Sequence, residues 1–420
     1  VPTNNVAKQY AEIISSRTYF PLWLGQLVSN FGDTLNYIAL VVLVFKLSGS
    51  GLAVSVTVVF EIVPLLLLAP VAGVVIDRFP RKAILVVSDL TRAVLVLLLA
   101  VVGATWQVYV IAALLTAASV FFNPTLQAVI PTLVDHEALL AANSVSWSTS
   151  QLVQIVASAV AGGMIAAIGT QSAFVINALS FVFSATMIWR LPIPPHAGEL
   201  DRESRRGFAA WIQDAKAGLS FSRHDPFVSR LLPVQALASL AVGATGALLV
   251  VLSERHLGLP PQGFAWLLLA IGVGALLGPI VLSSFTRNYR NMRLLFVPYV
   301  IRGVGDILIA LVTPLPVALL ILFVYGLNTS TGMVVYNSLM QSQVPEGVRG
   351  RVYTLMDLTW SLMSLVSLAI GGLLVDSVGV EVVYYMGGTL LAITGVLGLA
   401  LLGNYSFKEP QQEQHAEAQP

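Results

Sequence analysis

The sequence predicts an all-α membrane protein of twelve transmembrane helices in two pseudo-symmetric six-helix bundles, with both termini cytoplasmic. Three observations predict it. Apolar runs of membrane-spanning length recur along the 420 residues; Lys and Arg fall almost wholly on one side of them; and short motifs of the first half return in the second at nearly one offset.

The composition places the chain in lipid. Hydrophobic residues make up 56% and charged residues only 10%, with a mean hydropathy of +0.83. A water-soluble domain carries about 25% charged residues. The net charge of +1 leaves no basic field for nucleic acid. With no cysteine there is no disulfide, thiolate nucleophile or cysteine metal site, and the redox compartment stays open. Residues 1–17 are polar, so no cleavable leader is expected ahead of the first apolar run.

Runs of roughly 20 apolar residues read as membrane helices. They cover about 18–47, 52–76, 83–104, 106–130, 141–168 and 171–191. After a longer connection they resume at about 229–253, 263–285, 292–312, 315–340, 351–375 and 380–403. Five expected segments follow: a cytoplasmic stretch 1–17, a bundle 18–191, a cytoplasmic linker 192–228, a second bundle 229–403, and a disordered tail 404–420. In the linker, Phe208, Trp211, Ile212, Ala215 and Leu219 recur at helical spacing. That amphipathic helix lies either on the membrane face or against neighbouring loops.

Orientation follows from the basic residues. Eighteen Lys and Arg lie on the side of the termini, only Lys46 and Arg255 lie opposite, and Arg92 and Arg302 fall inside spans. That side is therefore cytoplasmic. The repeat supports the two bundles. Asn123-Pro-Thr-Leu-Gln127-Ala-Val-Ile-Pro131 returns as Asn337-Ser-Leu-Met-Gln341-Ser-Gln-Val-Pro345; Pro70, Arg78, Arg81 and Leu85 return as Pro279, Arg287, Arg290 and Leu294; and Gly162-Gly163 returns as Gly371-Gly372. Halves so related bind substrate between them near mid-membrane.

Ionisable groups inside spans are costly and mark function or pairing. They are Asp33, Glu61, Asp89, Arg92, Arg302, Asp306 and Asp357. Ser29, Asp33 and Asn36 share one face of the first helix. Asp33 and Glu61 have no basic neighbour in their own helices. A carboxylate unpaired in a low-dielectric site favours its protonated form, and can take up and release a proton; a cationic substrate would compete for it. Asp89 with Arg92, and Arg302 with Asp306, have the spacing of intrahelical charge pairs. The alternative is that either arginine faces the cavity and binds an anionic group. Gln127, Asn177, Asn337 and Gln341 read mainly as interhelical hydrogen bonds, and Gly274-x-x-x-Gly278 as close helix packing. No histidine lies in a span, and no phosphate-binding G-x-x-x-x-G-K-[ST] is present, so neither a metal site, a cofactor nor direct use of ATP is expected.

The turn Gly73-Val-Val-Ile-Asp77-Arg78-Phe-Pro-Arg81-Lys82 resembles the signature loop of the major facilitator superfamily, G-x-x-x-D-R-x-G-R-[RK], with Pro80 in place of its second glycine. Ser29-Asn-Phe-Gly-Asp33, the Asn123–Pro131 segment and Asn177-Ala-Leu-Ser-Phe181 are similar to the bacterial branch that includes drug, macrolide and siderophore exporters. That branch also holds lysophospholipid transporters. The family's arginine within the fourth helix and its Gly-Pro motif in the fifth are missing here.

The resemblance implies a non-enzymatic, multi-pass protein of the bacterial inner membrane. It would act as a monomer on amphiphilic or cationic small molecules, by proton-coupled alternating access, in contact with membrane lipids. The alternative is a lysophospholipid or other lipid transporter of the same fold. A receptor or scaffold would need a larger soluble module than 192–228 supplies. The resemblance also implies a cytoplasmic gate, in which Asp77 pairs with the start of the eleventh helix near Arg351 and Asp357. In that gate Gly73, Arg78, Arg81 and Lys82 shape the loop, and the bases fix topology and bind anionic headgroups.

Overall fold

The computed structural model describes residues 13–135, 138–193, 216, 219–260, 263–285, 291–403 and 405. The described residues form helices and turns. In chain order the long helices are α1 (Phe20–Ser48), α2 (Gly51–Arg78), α3 (Arg81–Leu99), α4 (Thr105–Leu133), α5 (Leu139–Ile168) and α6 (Thr170–Trp189). They continue with α7 (Pro226–Ala247), α8 (Phe264–Phe285), α9 (Arg293–Ile309), α10 (Leu315–Gln343), α11 (Glu346–Val378) and α12 (Val380–Leu402). Most of the amphipathic stretch expected at 208–219, the terminal segments 1–12 and 406–420, and the second basic turn at 286–290 lie outside the described residues.

Local chemistry sets the boundaries. Gly49 adopts φ 63° and ends α1, and Ser50 then caps α2 by accepting from the Ala53 amide. Asp225 caps α7 through the amides of Phe227 and Val228, both at 3.0 Å, with Pro226 in the first turn. Gly169 (φ 82°) and Gly379 (φ 95°) turn α5 into α6 and α11 into α12. These two left-handed corners are 210 residues apart, a further instance of the repeat.

Among the described residues ten helices are long and apolar enough to cross a membrane. The two that are not are α3 and α9. α9 has only 17 residues, about 26 Å of helix, and α3 carries Arg81, Lys82, Asp89 and Arg92 in 19. The apolar runs expected at 83–104 and 292–312 extend past both helices into the turns that follow Ala100 and Ala310.

Packing repeats with the sequence. α1 packs on α5 and α6, α2 on α4, and α3 on α4 and α6; α7 packs on α11 and α12, α8 on α10, and α9 on α10 and α12. The two sets meet chiefly where α2 crosses α11 and α5 crosses α8. Glycine permits the closest of the within-set crossings: a Cβ on Gly274 would strike the Phe323 carbonyl, and one on Gly326 the Ile271 carbonyl, so α8 and α10 lie backbone to backbone.

The apolar core is asymmetric along the bundle. At one end a single cluster joins both sets, with Leu40 to Phe45 of α1 and Leu248 to Leu252 after α7 buried at every position, alongside Val375 of α11. At the other end each set has its own cluster, one within 13–193 and one within 227–402. Among the described residues the two sets thus share an apolar core at one end and keep separate clusters at the other.

Candidate functional site

A cavity of about 580 Å³ opens within the first set of helices. Asp33 and Asn36 of α1, Glu61 of α2, Arg92 of α3 and Asn177 of α6 all line it, with Leu115 and Ser119 of α4. Five positions on four separate helices, each singled out as an ionisable or polar group in a span, thus meet in one space. Local sequence explains how Asp33 is held there. A side chain on Gly32 would collide with Asn177 and Ser180, so glycine lets α1 settle onto α6. Ser180 Oγ donates to the Asn177 side-chain oxygen at 3.0 Å, which turns the Asn177 amide to donate to Asp33 Oδ1 at 3.4 Å.

Arg92 is buried and its guanidinium lies between two rings, 4.1 Å from the centroid of Phe122 and 4.3 Å from that of Phe181. Its Nη2 donates to Asp89, which is fully buried. One charge of α3 is therefore matched within α3. Asp33 and Glu61 remain: among the described residues neither has a cation within ion-pair distance. Both are half-buried on the cavity wall, which Arg92 shares.

The second set differs. Arg302 and Asp306 do not line this cavity, and they do not form the expected intrahelical pair. Arg302 Nη2 donates to Tyr325 OH of α10 at 2.6 Å and its guanidinium stacks 4.4 Å from that ring. Asp306 is drawn instead into the crossing of α9 with α12, where its Cβ faces Gly388, and its Oδ2 is buried without a hydrogen-bond partner. Spacing of four residues permits a pair, but interhelical packing pulls the two side chains onto different neighbours.

At the basic turn, Arg81 donates to the Ala128 carbonyl at 3.1 Å and Lys82 to the Leu191 carbonyl at 2.9 Å, just beyond the end of α6. Those two cations tie the turn to α4 and α6. Arg78, Arg351 and Asp357 are exposed, Gly73 is half-buried, and the Asp77 side chain lies outside the described residues.

The opposite end holds a contact that sequence reasoning missed. Asp376, in the last turn of α11, accepts from Ser50 Oγ at 2.5 Å and from the amides of Gly51 and Leu52 at 3.1 Å. Arg255 Nη1 pairs with Asp376 at 2.9 Å while Nη2 donates to the Gly49 carbonyl at 2.5 Å. A π-helical turn, Leu252–His256, presents Arg255 to them. Nearby, Gly372 packs on Ser55 and Leu52, and Gly51 on Val375. The available signal was Arg255 itself, one of two cations on that side of the apolar runs.

Comparison with known proteins agrees with this architecture. The chain is 28% identical over 393 residues to the MFS-type transporter YfiS of Bacillus subtilis (strain 168), covering 90% of this chain and 91% of that one. It is 23% identical over 389 residues to macrolide efflux protein A of Streptococcus pyogenes, covering 90% and 94%. It is 25% identical over 387 residues to the multidrug efflux pump Tap of Mycolicibacterium fortuitum, covering 89% and 93%. The profile described as Major Facilitator Superfamily matches residues 22–368. With that match across a repeated helical bundle, the chain belongs to the Major Facilitator Superfamily of membrane transporters.

Proposed function

We propose that the protein is a secondary active exporter that moves amphiphilic or cationic small molecules out of the cell against proton entry, by alternating access. Asp33 and Glu61 are its proton-carrying groups. The observation that carries this reading is their placement: two carboxylates on different helices, without an ion-pair partner among the described residues, lining one cavity of about 580 Å³. Each carboxylate can hold a proton or a bound cation but not both, so the two compete. Relatives named as macrolide and multidrug efflux proteins support the export of such substrates.

In this reading all twelve helices span the inner membrane of a bacterium. α3 and α9 cross with their charges turned to protein, both termini are cytoplasmic, and 18–191 and 229–403 rock against each other as a monomer. The end joined through Asp376 and Arg255 faces outward. Asp77 and the start of α11 form the gate at the cytoplasmic end. Proteoliposomes loaded with a lipophilic cation test it: an imposed pH gradient drives cation movement with the native protein, and Asp33→Asn uncouples the two.

One observation favours a second reading, a lipid substrate. A cavity of about 580 Å³ between α7, α11 and α12 is lined almost wholly by apolar side chains, among them Ile370, Leu374, Met386 and Ile393. It would admit an acyl chain from the side. Translocation of a labelled lysolipid, insensitive to an uncoupler, would favour that substrate over a soluble amine.

A further inference from the structure

A second cavity, of about 460 Å³, lies between α1, α4 and α5, and Asn123 lines both it and the carboxylate cavity. Its wall contains no acid and no base. Instead it carries the amides of Gln26, Asn30, Asn123, Gln127 and Asn143 and the Trp23 ring, the Gln26 amide donating to Ser184 at 3.3 Å. Part of this set is engaged. Trp23 Nε1 donates to Thr149 at 3.1 Å, which fixes the ring, and Asn30 donates to Ser150 at 2.9 Å. Asn123, Gln127 and Asn143 are exposed into the cavity, and among the described residues they make no side-chain hydrogen bond. Asn123 and Gln127 are one turn apart on α4, Asn143 faces them from α5, and both helices are apolar enough to cross a membrane. Gln127 and Asn143 lie toward the ends of α4 and α5 that the short 134–138 connection joins. Three amides thus converge on open space, and Asn30 of the same wall is one turn of α1 from Asp33.

We infer that this cavity is a second subsite, which holds an uncharged polyhydroxylated group of a substrate whose amine sits at Asp33 and Glu61. Each amide offers both donors and an acceptor, which matches hydroxyls that must give and receive together. The fixed Trp23 ring supplies an apolar platform for the C–H face of such a group. A wall without charge neither repels nor competes for the amine. The inference rests on the exporter reading and narrows its substrate to amphiphilic amines that bear a polyol or sugar.

The test compares two amines that differ only in the polyol: N-octyl-N-methylglucamine and N,N-dimethyloctylamine. Binding is titrated to the native protein in lipid nanodiscs, with empty nanodiscs subtracted for partitioning. The glucamine should bind about tenfold more tightly, the effect of one or two added neutral hydrogen bonds. The ratio of the two affinities should fall toward one in Gln127→Leu and, on the other helix, in Asn143→Leu. Both sites are exposed, so neither substitution disturbs packing, and the ratio cancels any general loss of binding. A ratio near one in the native protein, or a tenfold ratio that survives both substitutions, overturns the subsite. If the amines bind equally and Asp33→Asn weakens both, the exporter reading stands and only the polyol subsite falls. If neither amine binds, the exporter reading falls and takes the subsite with it.

Discussion

Asp376 caps a helix of the opposite set: its Oδ2 accepts from Ser50 Oγ at 2.5 Å, across 326 residues of chain. The carboxylate sits on the N-terminus of α2, where the first amides lack helical partners and the helix dipole favours negative charge. A side chain of α11 therefore closes the end at which the apolar core is shared. Asp376→Ala should lose a cap and the Arg255 pair together. Both groups are about a third exposed, so the pair is screened and the total loss is about 1–2 kcal/mol. The chain has no cysteine, so spin labels at introduced cysteines are specific. With labels at Val101 and Leu311, exposed beyond α3 and α9, the variant should populate a longer distance that is minor in the native protein. An unchanged distance distribution would remove the latch.

Arg92 should be the most sensitive position for stability. Removing it as Arg92→Met leaves the Asp89 carboxyl fully buried without its partner, and strips two rings of their stacked cation. The expected loss is about 3–5 kcal/mol. Arg92→Met combined with Asp89→Leu should recover most of it, because no polar group is left stranded. Thermal unfolding of purified protein in detergent measures both, and a double variant no better than the single one would contradict the pairing.

Gly32→Val should disturb the site without touching a charge. The added side chain must push α1 from Asn177 and Ser180, at a cost of about 1–3 kcal/mol. The Asn177 hydrogen bond to Asp33 goes with it. Gly103→Ala, with open space around its Cβ and no part in the cavity or the gate, is the matched control and should behave as native in both unfolding and flux.

Much of the fold was legible in the sequence, because lipid imposes one simple demand: long apolar helices. All twelve expected runs overlie long helices, though the runs at 83–104 and 292–312 overshoot α3 and α9, since turns such as Val101–Ala104 are apolar too. The site was legible in part. Cost of burial singled out Asp33, Glu61 and Arg92 one helix at a time. Their meeting in one cavity is tertiary and had no local signature. Intrahelical spacing also misled for Arg302, which Tyr325 captures from α10. The Asp376 latch was illegible for the same reason: its partners are backbone amides, which any residue supplies, on a helix far away in sequence.

The central claim is that Asp33 and Glu61 couple proton entry to export. Proteoliposomes holding a lipophilic cation and a pH-sensitive dye measure both fluxes at once. The native protein should move protons inward as cation leaves, in proportion to the gradient imposed. Asp33→Asn should still let cation run down its own gradient but carry no protons with it, and Glu61→Gln should lower the protons moved per cation. Proton movement equal to native in Asp33→Asn, at the same rate of cation exit, would contradict the account.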